Sequence, residues 1–325
     1  MSVTTVDAGF SAFKVKTDHN EFSFPTLVVI PYHQNVAEDG AKVYGFEGIN
    51  YVIGDKTVKG QVLHERNFEY LLKFMPVFLA RAIEESDIHP GSLTEVRIGI
   101  PYDDYRSRRG EMEERLKDFS VSGVRYHSTT GEIENDFAAP KTGYRFKLAC
   151  LPQGIGAFLE YDAMVEPEKV EDGYLIDVGF NTCILQRFLD GKAQKSGSKQ
   201  IDRYGLSVAM ESIQKSIEAV FGKSPSIIKV CEAFRAGTYS FMGKKMDNFD
   251  EICKTAVRLH LADMLHELFD VRSKEFEQIQ QLVIAGGGSY YVTKDLIPVD
   301  YRDMTVIVDP NTQPEFANVR GLHRL

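Results

Sequence analysis

A chain of 325 residues, 43% hydrophobic and 26% charged, has material for a packed core and length for two domains. Its 38 basic and 47 acidic side chains leave a formal charge of −9, which excludes a protein that wraps nucleic acid in a general positive field. No stretch approaches the ~20 apolar residues of a bilayer span and the first residues run straight into a strand, so a cytoplasmic protein is expected.

In chain order, residues 1–16 read as a hairpin, with Val3, Val6, Phe10, Phe13 and Val15 in β-type runs around an Ala8-Gly9 turn. Thr26 to Ile30 is an apolar run closed by Pro31, and Val43 to Ile53 is a second one broken by Gly45 and Gly48. Phe68 to Glu85 carries Leu71, Leu72, Met75, Phe78, Leu79 and Ala82 at helical spacing. Val96 to Ile100 is a buried strand stopped by Pro101. Arg106 to Phe119 is a charged helix whose Arg106, Arg108 and Arg109 are followed at once by acids, so it reads as a solvated face and not a nucleic-acid patch. Leu151-Pro152-Gln153-Gly154-Ile155-Gly156-Ala157-Phe158 opens another helix. Tyr174 to Phe180 and Cys183 to Phe188 form a hairpin through Gly179, and Gly205 precedes a helix that runs through Ile217. Residues 250–270 are a further amphipathic helix, in which His260 and His266 lack a third ligand nearby and are not read as metal ligands. Cys150, Cys183, Cys231 and Cys253 show no Cys-x-x-Cys pairing or zinc-finger spacing and read as reduced thiols.

Three of these segments carry the chemistry. Val3 to Phe10 and Leu175 to Thr182 each end an apolar strand in Asp-x-Gly, with Asp7, Ala8, Gly9 and Phe10 in the first and Asp177, Gly179, Phe180, Asn181 and Thr182 in the second. Such a turn puts a carboxylate beside backbone N–H groups that can face an anion, and two of them would form a phosphate clamp with two carboxylates for a divalent metal. Each alone is equally a plain tight hairpin turn. The third segment, Leu282 to Ser289, ends in Gly286-Gly287-Gly288, where a backbone without Cβ can approach a ligand closely.

Taken as a set and in this order, the three turns resemble those of the actin-like ATPase superfamily, which includes actin, sugar kinases and the seventy-kilodalton heat-shock chaperones. The closest resemblance is to the ParM-like plasmid-segregation actins, carried by the Asp7–Lys14 hairpin, Ile100-Pro101-Tyr102, Gln153-Gly154-Ile155-Gly156-Ala157, and the ending Pro314-Glu315-Phe316-Ala317-Asn318-Val319-Arg320-Gly321. Two departures stand out: Cys183 takes a place where many relatives have Asp, and Phe180 replaces the second glycine of the usual Gly-Gly turn.

The resemblance implies an α/β, actin-like two-domain fold, each domain a mixed five-stranded sheet with flanking helices, and a nucleotide cleft between them. Domain I would comprise 1–155 plus 305–325, and domain II 156–304. The expected ligands are ATP or GTP with Mg²⁺, the metal held by Asp7 and Asp177. Lys14, an ordinary strand residue without the family, becomes the phosphate-binding lysine, and Gln153, otherwise a helix cap, orients the attacking water. After Gly205, Glu211 and Lys215 reach the ribose or form a surface ion pair. Gly286, Gly287 and Gly288 take the α-phosphate and base, with Tyr290 or Tyr291 beside the base or simply in the core.

The expected function is a filament former that hydrolyses nucleotide, with itself as head-to-tail partner and an adaptor on centromere-like DNA as a second. Neither direct sequence-specific DNA binding nor membrane association is expected. The rivals on the same scaffold are a small-molecule kinase, which would need a substrate-side catalytic Asp and larger inserts, and a chaperone-like ATPase, which would need a peptide-binding domain.

Overall fold

The computed structural model describes residues 2–32, 41–55, 57–86, 88–129, 143–165, 172–277 and 279–325. The chain divides into two compact units, Met1–Ala163 with Phe316–Leu325, and Met164–Glu315.

The first unit begins with three antiparallel strands, β1 (Ser2–Ala8), β2 (Ala12–Thr17) and β3 (Glu21–Pro25). β4 (Val28–Pro31), β5 (Val43–Phe46), β6 (Ile49–Ile53) and β7 (Gly60–Leu63) make a separate four-stranded sheet. Helix α1 (Phe68–Glu84) starts where Asn67 accepts from the Tyr70 N–H, and buries Leu71, Met75, Phe78, Leu79 and Ala82, the stripe its spacing predicts. It leads to β8 (Leu93–Ile100), which lies parallel to β1. Next come α2 (Tyr102–Arg115), β9 (Asp118–Val121), β10 (Val124–Ser128), β11 (Tyr144–Pro152) and α3 (Ile155–Met164). The main sheet runs β3-β2-β1-β8-β11-β10-β9.

The second unit repeats the plan. β12 (Gly173–Val178) and β13 (Thr182–Leu189) form a hairpin, extended by β14 (Lys192–Ala193) and β15 (Lys199–Asp202). α4 (Ser207–Phe221), α5 (Ile227–Ala236), the hairpin β16 (Ser240–Phe241) and β17 (Lys244–Lys245), α6 (Phe249–Val271) and α7 (Ser273–Phe276) follow. β18 (Gln281–Ala285) then lies parallel to β12, and β19 (Thr305–Ile307) parallel to β18. In each unit a hairpin strand is thus flanked by a parallel strand that arrives after helices, which brings distant turns to one sheet end. α8 (Ala317–His323) packs on β1, β2 and β8 of the first unit.

Two expectations need correction. The first sheet has seven strands, because the β9–β10 hairpin extends it beyond β11, while the second has five along its path with β15 added on β13. The expected domain limits also move. β19 hydrogen-bonds to β18 and so stays with the second unit, whereas α3 stays with the first, since Gly156 and Gly321 place the backbones of α3 and α8 in direct contact.

Candidate functional site

In the first unit the turn between β1 and β2 is closed by the Gly9 N–H on the Asp7 carbonyl (3.0 Å) and by the Thr26 hydroxyl on the Gly9 carbonyl (2.5 Å). No backbone hydrogen bond among the described residues uses the N–H of Phe10 or Ser11, so both remain available to an anion. The register puts Asp7 opposite Lys14 across the hairpin and opposite Gly99 on β8. Lys14 Nζ donates to Asp7 Oδ2 at 2.9 Å, and Gln153 Nε2 donates to Asp7 Oδ1 at 2.7 Å. Asp7 is 2% exposed and Gln153 8%, while Lys14 is half-buried, and the three side chains meet at the sheet end where β1, β8 and β11 finish and β2 begins.

A carboxylate facing it leaves the Gln153 amide one orientation, with nitrogen toward Asp7 and oxygen free to accept a proton from water. Gln153 is fixed further by its N–H on the Ile100 carbonyl (2.9 Å) and by Asn318, whose Oδ1 accepts from Gly154 N (2.7 Å) and Ala157 N (3.2 Å). Asn318 thereby satisfies the N–H just ahead of α3 and one in its first turn. It stands 164 positions from Gly154, so no local pattern in the sequence points to it.

In the second unit the β12–β13 turn closes by Gly179 N–H on the Thr182 carbonyl (2.9 Å), and again no backbone hydrogen bond among the described residues uses the next two N–H groups, those of Phe180 and Asn181. The residue opposite Asp177 on the hairpin is Ile184, so only the first turn carries a lysine in that place. On its other side Asp177 pairs with Ala285 of β18, which sets the Gly286-Gly287-Gly288 turn beside it. Gly286 has φ +80°, and a Cβ there would stand 2.1 Å from Asp177 Oδ1, so any side chain would collide with the carboxylate. Gly287 opens the other way: its Cβ would meet only Glu315 Cβ, at an ordinary 3.5 Å.

Gly205 packs tightly on the β12–β13 turn. A Cβ would lie 2.4 Å from the Phe180 carbonyl oxygen, and the N–H groups of Arg203, Leu206 and Ser207 bond to Asn181, Gly179 and Phe180. The 203–207 segment therefore clasps the turn from behind. Glu211 is paired with Arg203 at 3.2 Å, and Lys215 is exposed on α4. Tyr290 is partly exposed and donates to Glu315 at 2.5 Å, and Tyr291 packs on Phe234 with ring centroids 5.6 Å apart.

Burial, and then the Asp177 carboxylate, push the buried Cys183 thiol well above the usual thiol range, so it is an inert neighbour of the turn. Burial pushes the His260 imidazole below its ordinary value, opposed in part by the Gly205 carbonyl, Asp263 and the Tyr204 carbonyl. The folded chain thus favours neutral His260, and its stabilising contribution is complete above the unfolded value of about 6.5 and lost as pH falls below it through the folded value. His323 is lowered in the same sense by burial, so it adds to the slope. The urea midpoint is expected to drop as pH falls below about 6.5, and His260→Gln should remove part of that drop. An unchanged slope in the variant would contradict this.

The Asp7 carboxylate suits a contact to Mg²⁺ through water better than direct ligation. Each Asp7 oxygen is already engaged by a donor, and among the described residues no three His, Cys, Asp or Glu side chains cluster into an all-protein cage.

Two such hairpin turns on repeated mixed sheets, with a glycine turn beside the second, define the actin-like fold, and the comparisons agree. Residues 175–297 match the family model of the archaeal actin homologue MreB-like, C-terminal. The archaeal actin homologue Ta0583 superposes with TM-score 0.76 at 19% identity, over 100% of this chain and 98% of that one. Its complex with ADP gives 0.74 at 18% identity, over 100% and 98%. ParM from a 15-stranded Clostridium botulinum filament gives 0.73 at 17%, over 99% of this chain and 98% of that one. No curated protein sequence matches the chain. The resemblance carried by the three turns is therefore borne out in the fold, with archaeal and ParM structures both alike to it.

Proposed function

We propose that the chain is a filament-forming actin-like protein that binds and hydrolyses ATP or GTP with Mg²⁺. The observation that carries this reading is the chain Lys14–Asp7–Gln153, with Asp7 and Gln153 buried, at the end of a turn with available N–H groups. The N–H groups of both hairpin turns would hold phosphate oxygens, and the glycine turn would admit the nucleoside. Lys14 would neutralise charge that develops on the transferred phosphoryl group. Gln153 is too weak a base to take the proton outright, so it would act by holding a water in line through its carbonyl oxygen. When bound, Mg²⁺ would supply charge neutralisation for the phosphates, and Asp7 and Asp177 are the residues that would hold it.

Self-assembly fits the structural neighbours, one of which is a ParM filament. Loss of the terminal phosphate would bias the equilibrium between a polymer-favouring and a depolymerising form. Plasmid partition, through an adaptor on centromere-like DNA, is the cargo this reading favours, and the charge of −9 suits a chain that leaves DNA contact to the adaptor. Among the described residues no helix is long and apolar enough to cross a membrane.

The test is pelleting, light scattering and phosphate release in Mg-ATP and Mg-GTP, for wild type and Asp177→Ala. Expected are polymer in wild type and turnover at least ~100-fold lower in the variant, with polymer that no longer disassembles. Steady hydrolysis without polymer over a wide protein range would sink the filament reading and favour a kinase of the same scaffold.

A further inference from the structure

Two unlike surfaces stand at opposite ends of one helix in the second unit. At the start of α6, Phe249 packs on Tyr239 beside the β16–β17 hairpin, ring centroids 6.0 Å apart. Near its end, Phe269 stacks on Tyr301 at 4.6 Å. At 1.5 Å of rise per residue the helix separates the two rings by about 30 Å.

The hairpin turns through Met242 (φ 49°) and Gly243 (φ 78°), the left-handed pair that suits strand twist and that asparagine and glycine prefer. Met242 therefore adds a backbone cost to an apolar side chain that is 88% exposed. Lys244 and Lys245 follow, both exposed and without an ion pair among the described residues. A cavity of about 510 Å³ opens at the hairpin root between Val220, Phe221, Phe241 and Ile252.

The far end has the complementary character. Val299 is 70% exposed, and Asp300 and Asp303 beside it are exposed as well. Arg302, between them in sequence, donates instead to the carbonyls of Ile297 (2.8 Å) and Asp295 (3.3 Å). Neither carboxylate has an ion pair among the described residues.

We propose that the Met242-Gly243-Lys244-Lys245 hairpin of one copy docks on Val299, Asp300 and Asp303 of the next, forming a head-to-tail contact of the polymer. This rests on the filament reading above. A second copy is the occupant because the chain itself carries both halves of an apolar and oppositely charged pair. Their placement at two ends of one unit cannot be satisfied within a molecule but repeats without limit between molecules.

The experiment measures the critical concentration for pelleting in Mg-nucleotide. Lys244→Glu with Lys245→Glu, and separately Asp300→Lys with Asp303→Lys, should each raise it at least ~10-fold, because like charges then face each other. Each pair of changes leaves the other surface intact, so a mixture of the two variants should show restored attraction between the two altered surfaces and pellet as a copolymer. Met242→Asn controls for folding: it suits the turn better, so thermal stability should hold or rise while the critical concentration rises several-fold. Wild-type critical concentrations in all three variants would overturn the docking surface and leave the filament reading standing. A wild type that never pellets would overturn both.

Discussion

Gln153→Ala should slow nucleotide hydrolysis by about 100-fold while nucleotide affinity changes less than about two-fold, measured as single-turnover phosphate release beside equilibrium titration. The amide nitrogen of Gln153 is committed to Asp7 at 2.7 Å, and only its oxygen is left to align a water. Alanine removes that oxygen and also leaves one Asp7 oxygen without its donor, yet it touches neither Lys14 nor the turn N–H groups that would carry the binding energy. Gln153→Glu is the sharper comparison, since it sets a second carboxylate against Asp7 where the amide donated and should disturb nucleotide binding as well. A proportional loss of affinity in Gln153→Ala would mean that Gln153 only supports the fold of the turn.

Gly321→Ala should lower the melting temperature by about 5–10 °C, and hydrolysis should fall with it. The added Cβ would stand 1.8 Å from the Gly156 carbonyl oxygen, a backbone atom that cannot swing aside, so α8 must move off α3. Overpacking of this kind costs about 1–3 kcal/mol, and each kcal/mol is worth roughly 2–4 °C in a domain of this size. The same shift carries Asn318 away from the N–H groups of Gly154 and Ala157, which loosens the segment that holds Gln153. An unchanged melting temperature in differential scanning calorimetry would show that the two helices have slack.

The turns were legible because their chemistry is local. Asp7 and Gly9 are two positions apart, and Lys14 returns to Asp7 through a hairpin whose register follows from its length. Gln153 was legible only through family resemblance, since its contact with Asp7 spans 146 positions and arises from three strands ending together. Asn318 entered only as part of the closing motif, and its bonds to Gly154 and Ala157 were missed for the same reason. Gly205 was placed correctly ahead of a helix, but its tight packing on the Phe180 carbonyl belongs to a crossing of two loops that no periodicity encodes. The extra strands β9 and β10, of four and five residues, are too short for alternation to separate them from the charged helix before them.

The ownership of α8 bears on how the chain comes to be folded during synthesis. Residues 164–315 form a continuous unit that can close as soon as it leaves the ribosome. The first unit is interrupted. Arg97 on β8 must wait for the carbonyls of Leu322 and His323, and Glu21 for the guanidinium of Arg320. The segment translated earliest is therefore completed last, and the Gln153 relay takes its final form only after the second unit is already made.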